Sequence, residues 1–360
     1  MPTIAVTGAA GAVGRRVVGR LVDAASEDDS TDDQDQESAG NHSESPAPAV
    51  VAIDRRRLGR LGPAASAHQL DLITDEVAPA LDGCDCVVHL AEDPARRADP
   101  VAAAAALDRV LTAAADTGVG HVVLLSSALV YGARADNPVP LTEAHPVRPV
   151  TALAHAAIKA DLEERARNWA ADTGAAVTIL RPTATLSERD SSWIGAALRA
   201  ATAVRPERVD PPVQFLHHDD LADAVHLVAA RGLAGTYNVA PDGWIGAELF
   251  RALRGEGDVR MPEQLANWRH QLARRVADRS LLDGLEPYVR FPWVVANDRL
   301  RAKGWEPRFS NEEAFVAGTP PPLLSAINPQ RRQEIALGAA GSVGAAAVGA
   351  ALWALRRSVR

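Results

Sequence analysis

The sequence predicts an α/β fold in which helices cover both faces of a doubly wound parallel sheet. Three observations support this prediction. A short apolar strand at the N-terminus breaks into a glycine-spaced turn and then into a helix. Strand and helix patterns then alternate up to about residue 130, the order that gives a parallel sheet. Finally, Ser126 and Ser127 end a later strand, at the sheet edge where such folds bind ligands.

Composition and charge narrow the class of protein. The 360 residues are 47% hydrophobic and 23% charged, which is typical of a globular protein with a full core. The formal net charge is −8 and no basic face is suggested before the last few residues, which argues against nucleic-acid binding. Since no signal peptide precedes the first strand, we expect a cytoplasmic protein.

The N-terminal strand, turn and helix indicate a nucleotide-binding element. Gly8 allows the tight turn, Gly11 lets backbone N–H groups approach a pyrophosphate, and Gly14 lets the helix pack against the sheet. The first turn of that helix then offers unpaired backbone donors to the phosphates. We therefore predict a dinucleotide site of the Rossmann type. Its candidate contacts in this segment are Gly8, Ala10, Gly11, Ala12, Val13 and Gly14.

The second strand ends in a candidate ribose ligand. Residues 26–48 are acidic and polar, and we expect them to form a disordered surface insertion. Once this insertion is discounted, Asp54 stands where a dinucleotide fold places the carboxylate that binds the adenosine ribose. A carboxylate there repels the 2′-phosphate of NADP, so NAD is favoured. Arg55 and the two arginines after it leave NADP as the less favoured alternative, because an arginine can accept that phosphate.

The two cysteines are predicted to be buried core residues rather than metal ligands. Cys84 and Cys86 lie two apart in an apolar run, too close for an unstrained disulfide within one strand. We interpret them as small buried residues. A metal site that includes His89 is the weaker interpretation, because the chain offers no second pair of ligands. No metal is therefore expected.

A series of motifs follows in a fixed order. They are TGAAGAVG at 7–14, Asp71-Leu72, VVHLA at 87–91, SSALVYG at 126–132, Lys159, LRPT at 180–183, FLHHDDLADA at 215–224, GTYNVA at 235–240 and the segment 297–307 with its Gly-Trp-Glu-Pro. Over about residues 2–317 the chain thus resembles the extended short-chain dehydrogenase/reductase family, the group of NAD-dependent nucleotide-sugar epimerases and dehydratases. The resemblance implies an oxidoreductase or isomerase with a nucleotide-sugar substrate. Further cofactor contacts are implied at Asp71, Leu72, Leu90, Ala91, Lys159 and Pro182.

The resemblance also implies the catalytic residues, with one departure. In the family, the serine matching Ser127 binds the reacting oxygen, a tyrosine is the acid/base, and a lysine four residues later binds the nicotinamide ribose. That lysine also lowers the pKa of the tyrosine. Lys159 is present, but the position four residues before it is His155, and no tyrosine lies between Tyr131 and Tyr237. The catalytic candidates are Ser127, His155 and Lys159.

Three interpretations of this departure stay open. His155 could move the proton, since an ordinary histidine titrates at about 6.5, close to neutral pH. Tyr131 could swing into the site instead. Alternatively, hydride chemistry is lost and the protein is a non-catalytic dinucleotide-binding sensor or scaffold tethered to a membrane.

The domain plan follows from the same motifs. We expect residues 1–180 to form the NAD(P)-binding domain, 181–317 a smaller mixed substrate-binding region, and 318–334 a linker. In the family, the alanine-rich helices that match residues 101–117 and 152–171 commonly form a dimer interface. The resemblance therefore implies a homodimer.

The C-terminal stretch, residues 335–355, is uncharged and rich in alanine and glycine. A helix of this length would measure about 31 Å, enough to cross the apolar core of a bilayer. Trp353 beside Arg356 resembles an interfacial anchor. We favour a membrane-associated helix that attaches the protein to the cytoplasmic membrane, and the alternative is a soluble alanine-rich terminal helix.

Overall fold

The computed structural model describes residues 2–32, 49–92, 99–188, 194–195, 197–198, 211–253 and 279–318. The predicted linker beyond residue 318 and the predicted membrane-associated helix at 335–355 lie outside these ranges. No helix within the described ranges is both long and apolar enough to cross a bilayer.

Nine strands form in the described residues. They are β1 (Ile4–Thr7), β2 (Val50–Asp54), β3 (Ala65–Gln69), β4 (Cys86–His89), β5 (His121–Leu125), β6 (Ala176–Pro182), β7 (Ala184–Leu186), β8 (Phe215–His217) and β9 (Gly235–Val239). Seven of them make one parallel sheet in the order β3-β2-β1-β4-β5-β6-β9, while β7 and β8 pair separately. The strand order reverses at β1, which confirms the predicted doubly wound Rossmann-type fold.

Helices cover both faces of the sheet. They are α1 (Ala12–Asp32), α2 (Ala78–Leu81), α3 (Pro100–Asp116), α4 (Ala154–Thr173), α5 (His218–Ala230), α6 (Ala247–Leu253), α7 (Arg279–Arg290), α8 (Asp298–Arg301) and α9 (Asn311–Ala317). Apolar side chains of α1 and α5 form one core with the sheet. Those of α3 and α4 form a second core on the opposite face. Strands buried on both faces explain the continuous apolar runs of the sequence.

The predicted disordered insertion at residues 26–48 overlaps the end of α1. Helix α1 continues through Asp32, so residues 26–32 are helical rather than disordered. The polar composition of this stretch does not by itself prevent a helix, since most polar residues lower helix propensity by less than about 1 kcal/mol. Residues 33–48 lie outside the described part of the chain.

The predicted boundary at residue 180 is also displaced. Strand β6 runs through Pro182, and β9 pairs with it in parallel to add the last strand of the main sheet. Helix α5, which precedes β9, packs against α1. The region 181–317 is therefore interleaved with the nucleotide-binding sheet, because the chain returns to complete that sheet before it forms α6–α9.

A third core joins the smaller region to the sheet edge. The ring of Phe215 lies 5.1 Å from that of Phe315 and 6.0 Å from that of Phe250. The Tyr288 hydroxyl of α7 donates a hydrogen bond of 2.7 Å to the carbonyl of Leu129. Leu129 lies in the short 3-10 turn that follows Ser127, so the smaller region holds the loop after β5 in place.

Candidate functional site

A cavity opens at the carboxyl edge of the sheet, where loops after β1, β2 and β4 meet helices α3 and α4. It brings together predicted residues that are far apart in the sequence, namely Gly8, Gly11, Asp54, Arg55, Asp71, Leu72, Leu90, Ala91, His155 and Lys159. The other predicted residues do not line it: Ala10, Ala12, Val13, Gly14, Ser127 and Pro182. Glu92 lines the cavity without having been predicted, as do His89, considered only as a metal ligand, and Arg56, considered only as a possible phosphate acceptor.

The backbone of the glycine loop is in close contact with neighbouring backbone, so there is no room for side chains at its glycines. Gly8 has φ +74°, and a Cβ there would lie 2.7 Å from the backbone of Ala91. A Cβ on Gly14 would overlap the Gly8 carbonyl oxygen, and one on Gly11 would lie 3.0 Å from that same oxygen. The glycines therefore let the loop, the start of α1 and the loop after β4 approach one another. Where Gly8 and Gly11 line the cavity, they present backbone and no side chain.

Asp54 links the end of β2 to the glycine loop. Its Oδ2 accepts a hydrogen bond of 2.9 Å from the backbone N–H of Ala10. Its Oδ1 accepts hydrogen bonds from the backbone N–H of Arg56 at 2.9 Å and from the Arg56 Nε at 3.2 Å. This buried carboxylate thus holds the loop in register while it faces the cavity.

His155 and Lys159 lie one turn apart on α4, and both are buried where they line the cavity. The His155 Nδ1 lies 3.2 Å from Oε1 of Glu92. The Lys159 Nζ donates a hydrogen bond of 3.1 Å to the Leu125 carbonyl and lies 3.9 Å from Oε2 of Glu92. Glu92 was missed by sequence reasoning, although an acid that directly follows the VVHLA motif is a visible signal.

His89, the second histidine of the cavity, has a different environment. Its Nδ1 lies 2.9 Å from the Thr7 hydroxyl. Burial lowers the pKa of His89 to about 3, and the charge of Lys159 acts in the same direction. His89 therefore stays neutral at physiological pH, which removes it as a carrier of protons between a substrate and solvent.

Ser127 and Tyr131 belong to the loop after β5 rather than to the cavity lining. The Ser127 hydroxyl accepts a hydrogen bond of 3.3 Å from the Leu129 N–H and caps the 3-10 turn. The Tyr131 hydroxyl donates to Asn238 Oδ1 and accepts from Arg181 Nη1, both at 2.8 Å. Burial raises the pKa of Tyr131. These contacts fix Tyr131 in the core and argue against the interpretation in which it swings into the site.

A network of ion pairs and hydrogen bonds around the buried Glu163 joins α4 to β6 and to the end of β5. Glu163 of α4 accepts hydrogen bonds from the Ser126 hydroxyl at 2.5 Å and from Arg181 Nη2 and Arg167 Nη2, both at 2.6 Å. Burial by itself lowers the pKa of Arg181, but the hydrogen bond and charge of Glu163 outweigh it and raise that pKa. The network fixes α4, and with it His155 and Lys159, against the ends of β5 and β6.

Cys84 and Cys86 are buried free thiols, as expected. Burial raises the pKa of Cys86 to about 12, so its thiol stays protonated and unreactive. Within the ranges that the structure describes, no three His, Cys, Asp or Glu residues are grouped as metal ligands.

Comparison with known proteins identifies relatives for most of the chain. Residues 4–240 match the family model of the NAD dependent epimerase/dehydratase family. Uncharacterized proteins of Mycobacterium tuberculosis and Mycobacterium bovis are 28% identical to this chain over 201 residues. The match covers 55% of this chain and 53% of each relative. The chain thus spans about half the length of the curated relatives it matches.

Solved structures with the same fold cover 88% of the chain. The UDP-glucose 4-epimerase of Thermus thermophilus in complex with NAD has a TM-score of 0.59 at 20% identity, with 97% of that chain covered. The dTDP-glucose 4,6-dehydratase of Streptomyces venezuelae with NAD bound has a TM-score of 0.59 at 21% identity, with 95% covered. At these identities the likeness establishes a common fold.

Proposed function

We propose that this chain, which belongs to the NAD dependent epimerase/dehydratase family, binds NAD in the cavity described above and uses it in an epimerase- or dehydratase-type reaction. The single observation that supports this proposal best is the convergence of the glycine loop, Asp54 and Lys159 on one cavity at the carboxyl edge of the sheet. This edge is where doubly wound folds bind dinucleotides.

The residues present fit the cofactor. A side chain on Gly11 would press on the Gly8 carbonyl, so the loop keeps a smooth backbone surface for the pyrophosphate at the N-terminus of α1. Asp54 would bind the adenosine ribose. Because Arg56 is already paired with Asp54, its charge is partly neutralised there, which favours NAD over NADP. Lys159 would hold the nicotinamide ribose.

NAD, when bound, supplies the acceptor and donor of hydride. His155 then takes the place of the family tyrosine and moves the proton of the reacting hydroxyl. We propose Ser127 as the donor that hydrogen-bonds the reacting oxygen, since it follows β5 at the same sheet edge. The remaining predicted contacts, Asp71, Leu72, Leu90 and Ala91, would enclose the cofactor between β2 and β4.

We further propose a nucleotide sugar as substrate and a homodimer as the assembly. Several proteins of the same fold are solved with such ligands, including a UDP-N-acetylglucosamine 4-epimerase from Methanobrevibacter ruminantium in complex with UDP-N-acetylmuramic acid. An open groove between α3 and α4, lined by small residues such as Ala104 and Ala157, supports the dimer. Val101, which also lines this groove, is 76% exposed.

A second candidate function is dinucleotide binding without catalysis. It is favoured by the histidine at the tyrosine position and by Glu92, which lies beside the lysine expected to hold the ribose. Both candidates require NAD binding, so the two differ only in turnover.

The test combines binding with turnover. We expect calorimetry to detect NAD binding and weaker NADP binding. With UDP-glucose or dTDP-glucose as the probe, His155→Ala should lose about 100-fold or more in turnover but keep NAD affinity, since a proton carrier contributes mostly to the rate. His155→Tyr should retain turnover. His145→Ala is the matched control, because this loop histidine hydrogen-bonds to Thr142 outside the cavity.

The outcomes separate the candidates. Turnover in the wild type and its loss in His155→Ala support the enzyme. NAD binding with no turnover in any form supports the non-catalytic binder. Absence of heat with both NAD and NADP contradicts both candidates.

A further inference from the structure

The cavity places a carboxylate between the two buried basic residues of α4. We propose that Glu92 is the positioning residue of His155: it holds the imidazole through Nδ1 and stabilises the positive charge that forms when the ring accepts a substrate proton. This inference rests on the proposed function, because it requires His155 to move a proton.

The geometry assigns the Glu92 carboxylate mainly to the histidine. Its Oε1 lies 3.2 Å from His155 Nδ1, within reach of a hydrogen bond, whereas its Oε2 lies 3.9 Å from Lys159 Nζ. The Glu92 side chain is 34% exposed and lies three residues beyond the end of β4, while His155 is buried. The loop after β4 thus holds the imidazole through Nδ1.

Electrostatics explains why the histidine needs this partner. A protonated His155 would be a second positive charge in a buried site that already contains Lys159, and like charges disfavour one another there. A carboxylate in contact with the imidazole offsets both the repulsion and the loss of hydration. His89 in the same cavity contacts the Thr7 hydroxyl instead, and burial lowers the pKa of His89 to about 3.

The contact between Glu92 and Nδ1 decides which ring nitrogen accepts the substrate proton. With Nδ1 directed at Glu92, the transfer uses Nε2: the substrate O–H bond breaks and an Nε2–H bond forms. The hydride on the carbon that carries this hydroxyl would go to the oxidised nicotinamide that the proposed function supplies, so that the alcohol would be oxidised and the nicotinamide reduced. A carboxylate that orients a histidine in this way fixes its tautomer, as it does in other acid/base sites.

The kinetic test replaces the carboxylate by its neutral isostere. With NAD and UDP-glucose or dTDP-glucose, we expect Glu92→Gln to lower kcat by about 10- to 100-fold, the usual effect of a lost orienting partner. The affinity for NAD should not fall, because the change removes a negative charge from a cavity that would bind an anionic ligand. Glu92→Asp should recover part of kcat. Glu286→Gln is the matched control, since it removes the same charge from an exposed pair with Arg290.

A spectroscopic test needs no turnover. In protein with nitrogen-15 labelled histidine, the Nδ1–H signal of His155 is assigned by its absence from His155→Ala. We expect this signal to move in Glu92→Gln and Glu92→Ala, and to be unchanged in Glu286→Gln. An unchanged signal in the Glu92 variants would overturn the inference.

The kinetic outcomes distinguish the two proposals. If the wild type converts the sugar and Glu92→Gln converts it equally fast, only the role of Glu92 is overturned. A parallel loss of kcat, NAD affinity and thermal stability in Glu92→Gln would show a structural role and also overturn it. If the wild type binds NAD but converts neither sugar, the proposed catalysis fails and the role of Glu92 fails with it.

Discussion

At the scale of residues, three carboxylates near the cavity take different roles because their partners differ. Asp54 accepts backbone N–H groups from two loops and so fixes local geometry. Glu163 is fully buried and paired with arginine, which makes it part of the core. Glu92 is partly exposed, lines the cavity and contacts His155, so among these three it is the one whose partner is a histidine. Residue type by itself does not separate these roles.

Gly14 offers a test of the glycine loop at the same scale. A Cβ at this position meets the Gly8 carbonyl oxygen and the Ala9 backbone, which cannot move without shifting the loop. We expect Gly14→Ala to lower the free energy of unfolding by about 1–3 kcal/mol, as overpacking does, and to weaken NAD binding at least tenfold. Denaturant unfolding and calorimetry measure the two effects.

Gly19→Ala is the control for this prediction. It lies on the same helix with no atom within 4 Å of the added Cβ, so it should be neutral or stabilise by up to about 1 kcal/mol. Equal behaviour of the two variants would contradict the role given to Gly14.

At the scale of elements, α4 shows how one helix face serves both chemistry and packing. His155, Lys159 and Glu163 recur at intervals of four, so their side chains lie along one stripe. The first two face the cavity, and the third binds Arg181 of β6 and Ser126 after β5. The ion network therefore sets the rotation of α4 and, with it, where His155 and Lys159 point.

The network predicts a strong effect of Glu163→Gln. The change leaves the guanidinium of Arg181 buried without its full counter-charge, so we expect a loss of about 3–5 kcal/mol in the free energy of unfolding. Urea unfolding measures it. Glu164→Gln on the exposed side of the same helix is the control and should change stability by less than about 0.5 kcal/mol. A similar small effect for Glu163→Gln would mean that the network does not hold α4.

At the scale of the whole molecule, the site depends on the order of strands in space. Strand β1 lies between β2 and β4 in the sheet, although 31 residues lie between β2 and β4 in the sequence. Their carboxyl ends supply the glycine loop, Asp54 and Glu92. The return of the chain through α5 and β9 then ties the smaller region to this sheet, since β9 pairs with β6.

The proposed dimer yields a prediction at this scale. Ala157→Arg places a charged side chain in the groove between α3 and α4, so we expect it to give a monomer where the wild type is a dimer by light scattering. Ala171→Arg, exposed at the far end of α4 and outside the groove, should remain a dimer. A wild type that is monomeric at all concentrations tested would contradict the proposed assembly.

The sequence by itself determined the doubly wound sheet, and it predicted the glycine loop, Asp54 and the pair His155 and Lys159, which line one cavity. The sheet and the loop depend on local patterns, namely apolar runs and glycine spacing, whereas His155 and Lys159 were implied by the family resemblance. Their order along the chain also carries the family resemblance, which the match over residues 4–240 confirms.

Only the tertiary structure decided which residues share the cavity and which lie in the core. It placed Glu92 against His155, made His89 a neutral buried residue, fixed Tyr131 to Arg181, and returned β9 to the main sheet. The physical reason is that these contacts join segments distant in the sequence. Burial and partners, which set the charge of an ionisable group, arise only when those segments pack together.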